Sequence, residues 1–298
     1  MQDSDPRGEL LVDPLTRARV TRQGESYASD SGERYEIVEG IVRMLRQVNP
    51  ALAAELAAQD LALSEYSDPA FLMPRYERHM AELALVDLFG GHPPRGRILD
   101  AGCGIGLLGR LYPELGLVGL DASFTLLRNA TTGYDLRVEA SAEALPFADA
   151  TFDVVVALNM LHHVIDPDAA VGEFARVLKP GGTLVAVDPR KVLPIELAKK
   201  LLRGNNKAFA PTHKAFGVEE YERLIRQHGR FEVEDARRVG LMSLVGMGGL
   251  DAAKISPLLP SRDRIAEAFV ATDRLAFRLP GVARAGLNLA IRARRLSG

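Results

Sequence analysis

The chain has 298 residues, 47% hydrophobic and 26% charged, an ordinary globular composition long enough for about two domains or one domain with additions. Thirty-seven basic residues against 39 acidic leave a net charge of −2, which argues against a protein built to coat nucleic acid. The opening MQDSDPRGELL has no secretory pattern, no run approaches the ~20 apolar residues of a membrane span, and the single cysteine, Cys103, excludes an internal disulfide or cysteine-rich metal site, so a cytoplasmic protein is expected.

Residues 1–46 read as a small β module. Short β-type runs at Leu10–Val12, Arg17–Thr21, Arg34–Val38 and Ile41–Leu45 alternate with turn signals at Asp13-Pro14, Gln23-Gly24 and Asp30–Gly32. Residues 47–94 turn helical and read as a cap or linker: ALAAELAAQDLAL has helical spacing, and Tyr76–Phe89 repeats it before Gly90-Gly91-His92-Pro93-Pro94 ends it. Residues 95–298 form the main domain, in which strands at Ile98–Ala101, Leu117–Leu120, Val154–Leu158 and Thr183–Val187 alternate with helical or turn segments, as parallel βαβ units do. A helix around Ala169–Leu178 runs into a sharp turn at Lys179–Gly182, a second at Val218–His228 precedes a strand near Phe231–Ala236, and a last apolar run spans Leu287–Ile291. Lid insertions are expected at about 190–217 and 239–285.

The chemistry-bearing segment is Ile98-Leu99-Asp100-Ala101-Gly102-Cys103-Gly104-Ile105-Gly106, a strand entering a glycine-rich turn and a helix. Such glycines allow positive φ and close approach of backbone to ligand, and a helix start offers free N–H groups. Fifteen residues after Gly106 the second strand ends in Asp121, an acid placed to accept hydrogen bonds from both hydroxyls of a ribose. A nucleoside cofactor is expected. The turn reads G-x-G-x-G rather than the nicotinamide G-x-G-x-x-G.

LDAGCGIG resembles the first motif of class I S-adenosylmethionine-dependent methyltransferases, and the likeness continues in order for about 90 residues. GLDAS resembles their ribose segment, AEALPFADATFDVVVALNMLHHV the next stretch of the type 11 subgroup, and RVLKPGGTLVAV the turn into the fifth strand. The resemblance implies an α/β, Rossmann-like, seven-stranded sheet whose last strand is antiparallel and inserted beside the fifth. It implies S-adenosylmethionine as cofactor, leaving S-adenosylhomocysteine, and no metal. Asp100 and the Gly102–Cys103–Gly104 backbone would hold the methionine moiety, and Asp121 with Ala122 would meet the ribose. Ala142 and Glu143 would flank the adenine, and Asn159 would line the methyl channel. Relatives usually carry an acid two residues before the Glu of AEALPF; Ser141 stands there, so its hydroxyl or backbone would serve the adenine amino group.

A hydroxyl acceptor must lose a proton, so a base near neutral pKa is sought at the carboxyl ends of the strands. His79, His92, His213 and His228 fall elsewhere, whereas His162 and His163 follow the fourth strand directly and Asp188 follows the fifth. His162 or His163 is therefore expected as general base, with Asp188 orienting the imidazole; strand-end packing is the alternative role. Cys103 reads as a small buried residue.

Leu10–Leu45 resembles the small zinc ribbon that precedes some methyltransferase domains. Asp13–Thr16 stand where its first cysteine pair would be, and Ala28 and Ser31 where the second would be, so all four ligands are absent. The apolar, glycine-punctuated Leu241–Leu250 suits a lid over a small apolar or amphiphilic acceptor, and O-methylation in bacterial biosynthesis is the leading reading. Ribosomal RNA methylation and a silent cofactor-binding scaffold remain alternatives. Residues 262–298 carry eight arginines against three acids, which leaves contact with an anionic membrane open; the oligomeric state is not legible.

Overall fold

The computed structural model describes residues 8–65, 85, 88–89, 92–192, 215–226, 229–240 and 262–297. His79, His213, His228, the segment at 241–250 and most of 190–217 lie outside the described residues.

Near-continuous apolar runs build the centre of the sheet, because strands buried on both faces have no polar side to show. Strands β5 (Ile98–Ala101), β6 (Leu117–Asp121), β7 (Tyr134–Glu139), β8 (Phe152–Leu158) and β9 (Leu178–Pro189) are parallel, in the order β7-β6-β5-β8-β9. Beyond β9 lies β11 (Asn288–Arg295), antiparallel both to β9 and to the edge strand β10 (Phe231–Val239). This is the expected seven-stranded arrangement.

The N-terminal strands β1 (Val20–Arg22), β2 (Ser26–Ser29), β3 (Arg34–Val38) and β4 (Ile41–Arg43) form an antiparallel meander. Its last strand pairs in parallel with β7, Val42 opposite Val138, so the sheet counts eleven strands rather than seven plus a separate module. Leu11, Tyr27, Tyr35, Val42 and Met44 share one core with Val138, Leu145 and Phe147. Pairing covers the β7 edge, which would otherwise present unpaired backbone groups.

Asp13 organises the module. Its Oδ1 accepts from Leu15 N and Thr16 N (2.9 Å each), and its Oδ2 accepts from Tyr35 Oη (2.9 Å) and Ser31 Oγ (3.0 Å). Burial alone would raise its pKa, but the Thr16 and Leu15 N–H groups and the Tyr35 and Ser31 hydroxyls outweigh it and hold the carboxyl well below the usual range. Three of the four positions that the zinc-ribbon likeness nominates, Asp13, Thr16 and Ser31, are thus hydrogen-bonded to one another.

The described helices are α1 (Pro50–Glu65), α2 (Leu107–Leu111), α3 (Phe124–Leu127), α4 (Pro167–Val177), α5 (Val218–Arg226), α6 (Arg262–Ala276) and α7 (Pro280–Ala283). Helix α4 starts where Asp166 accepts from the N–H groups of Asp168 and Ala169 (3.1 Å each), with Pro167 in its first turn. Two strands, β2 and β7, were not expected, and Leu10–Val12 is a short 3-10 turn with isolated bridges instead of a strand. Lys179–Gly182 forms a bulge within β9: Phe152 pairs with Leu178 but Val154 with Thr183, and Gly181 takes a φ of 79°.

Candidate active site

The glycine turn after β5 is tightly specified. Gly102, Gly104 and Gly106 have φ of 69°, 52° and 85°, where a side chain is strained. A Cβ on Gly102 would lie 2.5 Å from the Met160 Cβ, whereas one on Gly104 would meet nothing within 4 Å. The turn is pinned by Gly102 N and Cys103 N donating to Leu120 O (2.7 and 2.9 Å), and by Gly104 N donating to Asp121 Oδ2 (2.8 Å). Asp121 Oδ1 accepts from Ser123 N (2.9 Å), the residue that caps α3. Burial raises the Asp121 pKa, while the Ser123 and Gly104 N–H groups oppose the rise.

A cleft of about 320 Å³ opens beside this turn at the carboxyl ends of the strands, within the size range of small-molecule sites. Gly102, Gly104, Asp121, Ala122, Ser141, Ala142, Glu143, Asn159 and His163 all line it. Ser141 Oγ accepts from Glu143 N (3.1 Å), and Glu143 Oε1 accepts from Asp166 N (3.0 Å), so both carry part of the loop geometry. Asn159 sits at φ 50° and donates its N–H to Val187 O (2.7 Å).

Four of the expected site residues stand behind the wall instead. Asp100 is buried and accepts from Tyr134 Oη (2.6 Å); burial pushes its pKa up to about 7, against that hydrogen bond. Burial likewise pushes the Cys103 thiol well up, which leaves it a packing residue. His162 is buried, with Nδ1 2.7 Å from Asp188 Oδ1, and its backbone N–H donates to the same oxygen (3.1 Å). Asp188 Oδ2 accepts from Tyr221 Oη of α5 (2.8 Å), and burial raises its pKa to about 7, against the Tyr221 and His162 donors.

His163 faces the cleft with a different partner. Its Nδ1 is 2.7 Å from Glu55 Oε1 on α1, and the two imidazoles lie 4.0 Å apart, tilted by 41°. Glu55 is 3% exposed and also accepts from Gln59 Nε2 (3.4 Å). The Gln59 Oε1 is buried without a hydrogen-bond partner. Leu52, Glu55, Leu56 and Gln59, spaced i, i+3, i+4, i+7, form the face of α1 that walls the cleft. The signal was present in ALAAELAAQ: two polar residues sit within an otherwise apolar helical stripe.

The side walls of the cleft are held from outside. Leu145, two residues past Glu143, has its N–H bound by Glu173 Oε2 (2.8 Å) and its carbonyl by Arg17 Nη1 (2.6 Å) and Arg176 Nη2 (3.0 Å). Val12 N donates to Pro146 O (3.0 Å) and Ala148 N to Leu10 O (3.1 Å), so the N-terminal module grips this loop directly.

Among the described residues no group of His, Cys, Asp and Glu is arranged to hold a metal, and no helix is long and apolar enough to cross a membrane.

Residues 99–186, which carry the glycine turn, Asp121 and the histidine pair, match a family described as a methyltransferase domain. A ubiquinone biosynthesis O-methyltransferase of Methylocella silvestris is 30% identical over 202 residues, covering 65% of this chain and 70% of the relative. The ubiquinone/menaquinone biosynthesis C-methyltransferase UbiE of Syntrophotalea carbinolica is 37% identical over 103 residues, 31% of this chain and 44% of the relative, so the match spans less than half of that protein. In three dimensions the chain is similar to a S-adenosylmethionine-dependent methyltransferase of Thermotoga maritima: TM-score 0.52, 18% identity, 80% of this chain and 99% of that one.

Proposed function

The chain belongs to the class I S-adenosylmethionine-dependent methyltransferases, and on that footing we propose that it transfers a methyl group to the oxygen of a small apolar or amphiphilic acceptor. One observation carries the reading: eight of the ten residues that the family resemblance nominates for the cofactor line one cleft, together with a single histidine.

The cleft suits the cofactor. Open space lies over Gly104, where backbone can meet a ligand, and the orphaned Gln59 Oε1 offers a buried acceptor to an incoming N–H or O–H. Asp121 accepts the ribose hydroxyls with the lone pairs that Gly104 and Ser123 leave over. Ser141, Ala142 and Glu143 flank the adenine, and Asp100, buried behind Gly102 and bonded to Tyr134, backs the methionine end. When bound, S-adenosylmethionine would supply a sulfonium methyl that an acceptor oxygen can attack in line, the thioether leaving as S-adenosylhomocysteine.

His163 takes the acceptor proton. Glu55 holds Nδ1, so Nε2 is the ring atom that would accept from an acceptor hydroxyl in the cleft. Glu55 thus holds the role first expected of Asp188, which pairs with buried His162 and anchors the loop after β8 to β9 and α5. Leu52, Leu56 and Met160 keep water from the reacting centre.

The test is incubation with methyl-deuterated donor and pooled hydroxylated aromatics, followed by mass spectrometry. A labelled methyl on oxygen, lost in His163→Ala, is the expected result. Labelling on carbon alone, or S-adenosylhomocysteine binding with no product from any pool, would overturn the reading.

A further inference from the structure

Most arginines of the C-terminal strand pair are answered. Arg292 and Arg294 face Glu234, Arg294 also meets Glu232, and Arg237 meets Asp235. Among the described residues two nearby arginines meet no carboxylate. Arg190 follows β9 directly, and Arg238 is the last residue but one of β10. Because β9 and β10 are each antiparallel to β11, they run parallel to one another, and both arginines lie at the carboxyl edge that also bears His163.

The register brings them to one neighbourhood. Arg238 pairs with Leu289 and Leu289 with Asp188, so Arg238 shares a row, and a face, with Asp188. Arg190 stands two residues past Asp188, its N–H on Leu287 O (2.7 Å) and its Nη1 on Arg284 O (2.8 Å). Both guanidiniums have a buried Nε with no hydrogen-bond partner, and among the described residues neither has a carboxylate partner. Burial and then the Arg238 charge lower the Arg190 pKa, so the two cations stand close enough to repel one another. Half-buried like charges with unmet donors are costly unless a ligand completes them.

We propose that Arg190 and Arg238 hold the anionic end of the methyl acceptor, a carboxylate or a phosphate, whose flat oxygen array matches the guanidinium fork. This rests on the reading of the carboxyl edge as the acceptor side. Arg238 is three strands from β8, roughly 14 Å at about 4.8 Å per strand, so the acceptor is elongated, with its anion and its methylated oxygen at opposite ends. The same pair selects against neutral acceptors of like shape, which would leave both Nε–H groups unmet.

Arginine Nε–Hε NMR signals of the protein saturated with S-adenosylhomocysteine test this, with inorganic phosphate and, separately, acetate as probes. Arg190→Gln and Arg238→Gln assign the two signals. Both signals should move saturably with at least one probe, at roughly tenfold lower concentration than other arginine side chains, and either variant should weaken the other's response about tenfold. Phosphate alone, or acetate alone, giving saturation identifies the anion. No saturable movement with either probe, or a wild-type response in both variants, would overturn the proposal. Saturation by S-adenosylhomocysteine is measured beforehand on the same samples, so failure of the donor reading appears separately.

Discussion

Two adjacent histidines meet two different carboxylates, and the proposal gives them different work. His163 is open to the cleft with Glu55 behind it, whereas His162 is buried between Asp188 and the core. His163→Ala should lower kcat by about 10²–10⁴-fold with the donor KM little changed, the size of a lost general base. His162→Ala should instead act through stability, lowering the melting temperature, because Asp188 then keeps only Tyr221 and the backbone as donors. Steady-state kinetics beside thermal melts separate the two. Asp100 carries a pH signature. Its pKa of about 7 lies above the ordinary 3.8, so between these values the folded protein holds a proton that the unfolded chain has lost. Stability contributed this way is full below pH ~4 and falls as pH rises through 7. Asp100→Asn keeps an oxygen for Tyr134 and does not titrate, so its melting temperature relative to wild type should climb from pH 4 to pH 8. Asp188 adds a second proton of the same sign, so the wild-type slope should flatten in the variant without vanishing.

At the scale of elements, the cleft is assembled by parts distant in sequence. The β5 turn and the acid ending β6 were legible because a strand, three glycines and a carboxylate leave few other readings. Strand β7 was not, since Asp135 and Arg137 interrupt its apolar Leu136 and Val138 and only pairing with β4 and β6 makes it a strand. Helix α1 was legible as a helix, and its wall only as two polar residues in an apolar stripe, Glu55 and Gln59, whose role shows once the cleft lies beneath them. The N-terminal module reaches the site through Arg17, which holds Leu145 O and Glu173 beside the Ser141–Glu143 wall of the cleft. Arg17→Ala should raise the donor KM severalfold with kcat nearly unchanged and cost about 1 kcal/mol of stability, discounted for its partial exposure. Arg17→Lys should not restore the KM, since one ammonium cannot serve two divergent acceptors.

For the whole molecule, the seven-stranded sheet and the antiparallel last strand beside the fifth followed from the family resemblance, while the eleven-strand continuity did not. No local pattern in Ile41–Arg43 distinguishes a strand ending a small module from one that extends a larger sheet; the difference lies in which edge it meets. The zinc-ribbon likeness rests on spacing alone, and the carboxylate hub at Asp13 could be seen only with the hydroxyls of Tyr35 and Ser31 in place. The central claim is that the cleft between the β5 turn and Asp121 holds the methyl donor. Calorimetric titration with S-adenosylhomocysteine, on wild type and on Asp121→Ala, tests it most directly, with Asp121→Asn and thermal melts to establish that the variants are folded. Saturable one-to-one binding in the wild type, weakened roughly a hundredfold or more when the carboxylate is removed, is the expected result. No binding by the wild type, or equal binding by a folded Asp121→Ala protein, would contradict it.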